Sequence, residues 1–258
     1  MAFTIAFAGK GGTGKTSLAA LTIKYLISVG KGPILAVDAD SNACLNEALG
    51  VEVHTTIGRL REESLSAVRG GGDRPGGMSM EQLFDYQVQQ SIIESKGFDL
   101  IVMGRPEGPG CYCAANNIIR KYTDLLSEKY PYVVIDNEAG MEHLSRRTTH
   151  SVDLLIMVSD ATQKGIMTIK RISDLVKELD LDVVRTIAIA NRVTEGQPDR
   201  LFEVARQCGL SHLEFIPDDP NIAAFDIEGK PIISLPDDSP SYTNLCSILK
   251  RLVLENKP

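Results

Sequence analysis

Two short stretches carry residue types whose chemistry depends on their spacing. The first is GKGGTGKT, Gly9 to Thr16, which fits the pattern G-x-x-x-x-G-K-[ST]. Its glycines let the backbone curl so that successive N–H groups point at phosphate oxygens. A helix starting directly after it would add positive potential. Lys15 then reaches the outer phosphates, and the Thr16 hydroxyl is offered to Mg²⁺. The second stretch is GPGCYC, Gly108 to Cys113, which places two thiols one residue apart. They can be small turn residues, a redox pair, half of an iron–sulfur site or half of a metal site. A helix entry lowers a thiol pKa and favours the metal-binding thiolate. A disulfide between residues so close would close a strained ring.

The rest of the chain must position these stretches. It has 258 residues, 43% of them apolar, enough for a substantial core. Short apolar runs at 3–8, 33–38, 99–104, 132–136, 153–159, 184–191 and 213–216 read as strands buried on both faces. Helix-period segments lie between them, including 15–30 and 114–130, the latter with Ile118, Ile119, Tyr122, Leu125 and Leu126 on one face. This alternation predicts an α/β fold, a mostly parallel sheet flanked by helices on both faces, as one domain over 1–258. The glycine-rich run at 69–79 reads as a surface loop.

Acidic residues outnumber basic ones, 34 to 27, for a net charge of −7, which argues against a global nucleic-acid surface. No apolar run approaches the roughly 18 residues of a membrane span, and the N-terminus lacks signal-peptide character. The expected location is therefore cytoplasmic, with no membrane and no nucleic acid as partner. Five scattered cysteines (Cys44, Cys111, Cys113, Cys208 and Cys246) do not form a disulfide framework, so the CYC pair reads as reduced thiols.

GKGGTGKT also resembles the deviant Walker A form K-G-G-x-G-K-[ST]. That form marks a P-loop family containing the nitrogenase iron protein, septum-site and plasmid-partition ATPases, and the arsenite and tail-anchor ATPases. The resemblance implies ATP hydrolysis to ADP and phosphate by a nucleotide-dependent homodimer. In it Lys10 reaches across to the partner's nucleotide as a cationic finger. VDADSN (37–42) resembles switch I, with Asp40 positioning the attacking water and lying near Mg²⁺, and Asp38 as the alternative. VVIDNEAG (133–140) resembles Walker B running into switch II, with Asp136 holding Mg²⁺. Asn191-Arg192 and Pro217-Asp218 resemble the base-side loops. The nucleotide-binding set implied is thus Gly9, Lys10, Gly11, Gly12, Thr13, Gly14, Lys15, Thr16, Ser17, Asn191, Arg192, Pro217 and Asp218, with Lys10, Lys15 and Asp40 catalytic and Thr16, Asp40 and Asp136 at the magnesium.

GRPEGPGCYCAANN (104–117) resembles the segment in which a nitrogenase iron-protein cysteine ligates a [4Fe–4S] cluster at the dimer axis. That protein takes its second ligand just beyond Walker B, where this chain has DNEAGMEH, with His143 near the position and no cysteine. A two-fold dimer would instead bring two C-x-C pairs together, four thiolates suited to Zn²⁺ or Ni²⁺. Together with VVIDNEAGMEHLSRR (133–147), the CYC pair resembles the ATPases that mature carbon monoxide dehydrogenase. This resemblance implies one nickel or zinc ion per dimer held by Cys111 and Cys113, and nickel insertion with carbon monoxide dehydrogenase as client. An iron–sulfur reductase, a positioning or partition ATPase and a biosynthetic transferase are the other classes this scaffold serves. A positioning ATPase would need a DNA-binding surface or a terminal amphipathic helix. Leu245, Ile248, Leu249, Leu252 and Val253 read instead as one face of an ordinary packed terminal helix.

Overall fold

The computed structural model describes residues 2–70, 79–105, 112–139 and 151–254. Its strands are β1 (Phe3–Gly9), β2 (Ile34–Ala39), β3 (Ile93–Ser95), β4 (Phe98–Val102), β5 (Tyr132–Asn137), β6 (Val152–Asp160), β7 (Val183–Val193) and β8 (Glu214–Pro217). They form one sheet in the order β3-β4-β2-β5-β1-β6-β7-β8, parallel throughout except where β3 pairs antiparallel with β4.

The continuous apolar runs follow from burial on both sides. Ile5 and Phe7 of β1 point into one core and Ala6 and Ala8 into the other, as the two-residue strand period requires. The first core is closed by α1 (Lys15–Ser28), through Leu18 and Leu21, and by the terminal helix (Pro240–Leu249), through Leu245 and Leu249. The second core is closed by several helices, among them Tyr112–Ser127, through Ile119 and Tyr122, and Gln163–Glu178, through Ile166 and Ile169. Each fully buried side chain of this size contributes roughly 1.5–3 kcal/mol. We number the remaining helices α2 (Leu45–Leu49), α3 (Ile57–Gly70), α4 (Met80–Gln90), α7 (Pro198–Gln207) and α8 (Pro220–Ile227), so that Tyr112–Ser127 is α5, Gln163–Glu178 is α6 and Pro240–Leu249 is α9.

Two expectations need correction. Leu125 does not lie on the buried face of α5: it is 52% exposed, while Thr123 is buried in its place. The buried stripe is centred on Ile119 and Leu126, which puts Leu125 past its margin. Strand β3 lies outside the expected set because it has three residues and half-exposed surroundings. In contrast, Leu245, Ile248, Leu249 and Val253 are spent on the core and Leu252 packs against it. No helix among the described residues is long and apolar enough to cross a membrane.

Candidate functional site

Strand order brings the chemistry-bearing loops to one edge. β1 lies between β5 and β6, and β2 lies beyond β5, so the carboxyl ends of β2, β5 and β1 meet. The ends of β7 and β8 lie on the other side of β1. This is the edge at which open α/β sheets take their ligands.

Backbone constraints select the glycines. A Cβ at Gly9 would lie 2.2 Å from the Val158 carbonyl oxygen on β6. Gly14 adopts φ 91° as the residue preceding α1, and a Cβ there would lie 2.4 Å from Asn191 Nδ2. No side chain caps α1, which leaves its first-turn N–H groups available to an anion. Within the loop, the Lys10 carbonyl accepts from Thr13 Oγ1 at 2.9 Å and from Lys15 Nζ at 3.3 Å. Burial lowers the Lys15 pKa, and the carboxylates of Asp136, Asp40 and Glu138 oppose that shift. Residue Lys10 itself is exposed.

Asp136 ends β5 at 1% exposure. Its Oδ2 accepts from Thr16 Oγ1 at 2.6 Å, and its Oδ1 is buried with no hydrogen-bond partner. Burial pushes its pKa up to about 6, against the Thr16 hydrogen bond and the Lys15 charge. A buried carboxylate oxygen without a donor is costly unless something positive meets it. A hard oxygen pair from Asp136 and Thr16 therefore fits magnesium.

Asp38 lies beside it in register on β2 and is fully buried. Its Oδ1 accepts from Asp40 N at 3.0 Å and its Oδ2 from Leu45 N at 2.9 Å. Burial pushes its pKa up to about 7, against those two N–H groups. Its carboxylate is thus committed to shaping the turn that carries Asp40 and to the start of α2. Asp40 is half-buried, and its Oδ1 accepts from Asn42 N and Nδ2 at 2.8 and 3.1 Å. Its charge is felt at Lys15 and Asp136, which places it on the same edge.

On the other side of β1 a cleft of about 360 Å³ is lined by Gly14, Ser17, Asn191, Arg192, Pro217 and Asp218, with Ile222 and Asp226 from α8. Asn191 is buried and donates through Nδ2 to the Thr13 carbonyl at 2.8 Å, so it pins the loop that leads into α1. Arg192, at φ 58°, approaches the Gly12 carbonyl at 3.3 Å. Asp219 was not singled out by the sequence reading, yet it organises this side. Its carboxylate accepts from Asn221 N, Ser241 N and Ser241 Oγ at 3.0, 3.0 and 2.7 Å, and from Ser239 Oγ. Burial alone would raise its pKa, but these hydrogen bonds outweigh it and the pKa falls. The legible signal was an Asp directly before the first-turn Pro220 of a helix.

Cys111 and His143 lie outside the described residues, as does most of the glycine-rich loop. The backbone of Cys113 stands in the first turn of α5. No group of three or more His, Cys, Asp or Glu is placed to hold a metal ion among the described residues.

Comparison with known proteins bears on the family and the fold. An uncharacterized ATP-binding protein of Methanocaldococcus jannaschii is 41% identical, over 96% of this chain and 98% of its own length. The carbon monoxide dehydrogenase accessory protein CooC of Rhodospirillum rubrum is 30% identical, over 97% of this chain and 96% of its own. The MinD cell division protein of Aquifex aeolicus shares the fold, with TM-score 0.68 at 21% identity over 100% and 99% of the two chains. The CobQ/CobB/MinD/ParA nucleotide binding domain matches residues 4–232. The chain belongs to that family and is a nucleotide-binding ATPase of the MinD/ParA type.

Proposed function

From that membership we propose that the chain is a nucleotide-dependent dimeric ATPase and a metallochaperone in nickel insertion into carbon monoxide dehydrogenase. Its cargo ion, nickel or zinc, is shared across the dimer by Cys111 and Cys113. The observation that carries this reading is the 30% identity to a carbon monoxide dehydrogenase accessory protein along nearly the whole of both chains, together with the C-x-C pair.

The chain's own residues supply the steps. The N–H groups of Gly9 to Thr16 and the start of α1 bind the phosphates of ATP. Lys15 sits on the outer phosphates, whose charge offsets what burial costs its ammonium. Thr16 and Asp136, with Asp40 beside them, would hold Mg²⁺, which would supply charge neutralisation to the outer phosphates. Lys10 of a second copy neutralises the transferring phosphoryl group, and Asp40 orients the attacking water. Asn191, Arg192, Pro217 and Asp218 flank the base, with Ser17 at the mouth of the same cleft. Lys10→Ala is expected to keep nucleotide binding and lose hydrolysis; unchanged hydrolysis would remove the trans role.

The test of the metal reading is an anaerobic optical titration of the reduced protein with Ni²⁺, with and without nucleotide. Thiolate-to-nickel charge-transfer bands should saturate at about one ion per pair of chains. They should be absent from a Cys111→Ala/Cys113→Ala double variant. Absent bands in a protein that hydrolyses ATP normally would overturn the metallochaperone reading and leave the ATPase intact.

A further inference from the structure

Asp219 joins two helices that the sheet does not hold together. β8 ends the strand order and pairs on one side only, with β7. Asp218 N still donates to the Val193 carbonyl at 3.0 Å, and beyond it the chain turns into α8. No residue of α8 is buried, and Ile222 and Phe225 pack against the first core only in part. Core burial therefore fixes α8 weakly. The buried carboxylate ahead of it does more. Asp219 Oδ1 accepts from Asn221 N and Nδ2, both at 3.0 Å, in the first turn of α8. Asp219 Oδ2 accepts from Ser241 N at 3.0 Å, from Ser241 Oγ at 2.7 Å and from Ser239 Oγ, at the start of α9. Both serines are buried. One carboxylate thus ties two helix starts together, one oxygen to each, with charge-assisted bonds that are stronger than neutral ones.

The α9 side of this tie is fixed to α1. Leu245 and Leu249 share the first core with Leu18 and Leu21. Lys24 of α1 donates to the Leu235 carbonyl, pairs with Asp237 at 2.7 Å and stands 4.4 Å from the centre of the Tyr242 ring. α1 also lends Ser17 and Leu18 to the cleft of about 360 Å³, while α8 lends Ile222, Ala223 and Asp226. The separation of these two helices, and with it the shape of the cleft, is therefore set through Asp219.

We propose that Asp219 is a positioning residue for the nucleoside end of the ligand: its tie to Ser239 and Ser241 fixes the cleft beside Asn191, and the affinity gained there separates a nucleotide from a bare polyphosphate. The inference rests on the reading of this edge as a nucleotide site. The bonds of the Asp219 carboxylate end on Asn221, Ser239 and Ser241, not on the loop from Gly9 to Thr16 that takes the phosphates. Breaking the tie frees α8 and leaves that loop as it was. A nucleoside must then order α8 as it binds, and that cost is subtracted from its affinity.

The test is equilibrium binding of ADP and of inorganic triphosphate, both with Mg²⁺, to the wild-type chain, Asp219→Ala and the double variant Ser239→Ala/Ser241→Ala. Asp219→Ala should weaken ADP binding by about tenfold or more and leave triphosphate within about twofold. The serine variant keeps the Ser241 N–H bond and should show the same pattern at about threefold. A purely structural role would lower the melting temperature and leave the ratio of ADP to triphosphate affinity unchanged. That result, or equal affinity of the wild type for the two ligands, overturns the proposal and leaves the nucleotide site standing. If triphosphate binds too weakly to titrate, ATP hydrolysis decides: KM should rise in both variants at constant kcat, and a fall in kcat at constant KM contradicts the proposal. If the wild type binds neither ligand, the nucleotide-site reading itself fails. Should Asp219→Ala fail to fold, the serine variant decides alone, since it deletes only two hydroxyls.

Discussion

The carboxyl ends of β2 and β5 carry two aspartates that look interchangeable and are not. Asp38 and Asp136 are opposite one another in register, both almost completely buried, and both have pKa values pushed upward by burial. Asp38 spends both oxygens on backbone N–H groups of its own loop. Asp136 gives one oxygen to Thr16 and keeps the other buried without a partner. A carboxylate fully satisfied by backbone is part of the scaffold, whereas one with a spare buried oxygen beside Thr16 still has a lone pair to offer a cation. Burial and charge shift are common to both; the hydrogen-bond inventory separates structure from function.

The largest effect should come from breaking the functional member. Asp136→Ala is expected to lower ATP hydrolysis by about a hundredfold or more, since metal-assisted charge stabilisation is worth several kcal/mol. Its melting temperature should stay level or rise, because a buried, half-satisfied carboxylate has been removed. Steady-state phosphate release and a thermal melt check the two halves.

Breaking the structural member should give the reverse. Asp38→Ala leaves the N–H groups of Asp40 and Leu45 without their acceptor and should cost about 2–4 kcal/mol of stability. Denaturant unfolding measures this, and a cost under half a kcal/mol would dissolve the contrast.

A smaller effect is expected with pH. Both folded pKa values are raised, to about 7 and about 6, above the ordinary value of 3.8. Between these limits the folded chain holds protons that the unfolded chain has released. Stability from these groups is therefore complete below about pH 4 and is lost as pH rises through 6 to 7, by a total on the order of 1 kcal/mol or more. Asp219 has the opposite sign: its lowered pKa contributes stability at neutral pH that fades in acid. Melting curves from pH 4 to 8 in the absence of nucleotide and magnesium should resolve the decline.

The smallest effect is the sharpest comparison. Asp38→Asn retains one acceptor for the two N–H groups and should cost about 1 kcal/mol, less than Asp38→Ala. It should also flatten the loss of stability towards pH 7. An unaltered pH profile would show that Asp38 does not titrate in that range.

The turn from Gly9 to Thr16 and the strand end at Asp136 were legible as structure because their requirements are local. Gly9 and Gly14 mark close backbone approaches, Lys15 and Thr16 follow at fixed spacing, and Asp136 ends an apolar run. The sheet was legible for a similar reason: strands buried on both faces leave unbroken apolar stretches. What escaped depends on partners far along the chain. Asn191 meets Thr13 across 178 positions and Ser41 meets Glu138 across 97, and neither spacing leaves a local trace. Asp40 was preferred to Asp38 on resemblance alone, because only the turn geometry shows that both Asp38 oxygens are taken by backbone N–H groups. Leu125 was misplaced because it lies at the margin of a helical stripe, where apolar character says little about burial.

The most direct test of the account is calorimetric titration of ADP into the wild-type chain and Asp136→Ala, each with and without Mg²⁺. The spare Asp136 oxygen predicts that Mg²⁺ strengthens binding to the wild type by about tenfold or more and gives the variant little of that gain. An equal magnesium gain in both proteins would contradict the assignment of Asp136 as the cation-holding carboxylate.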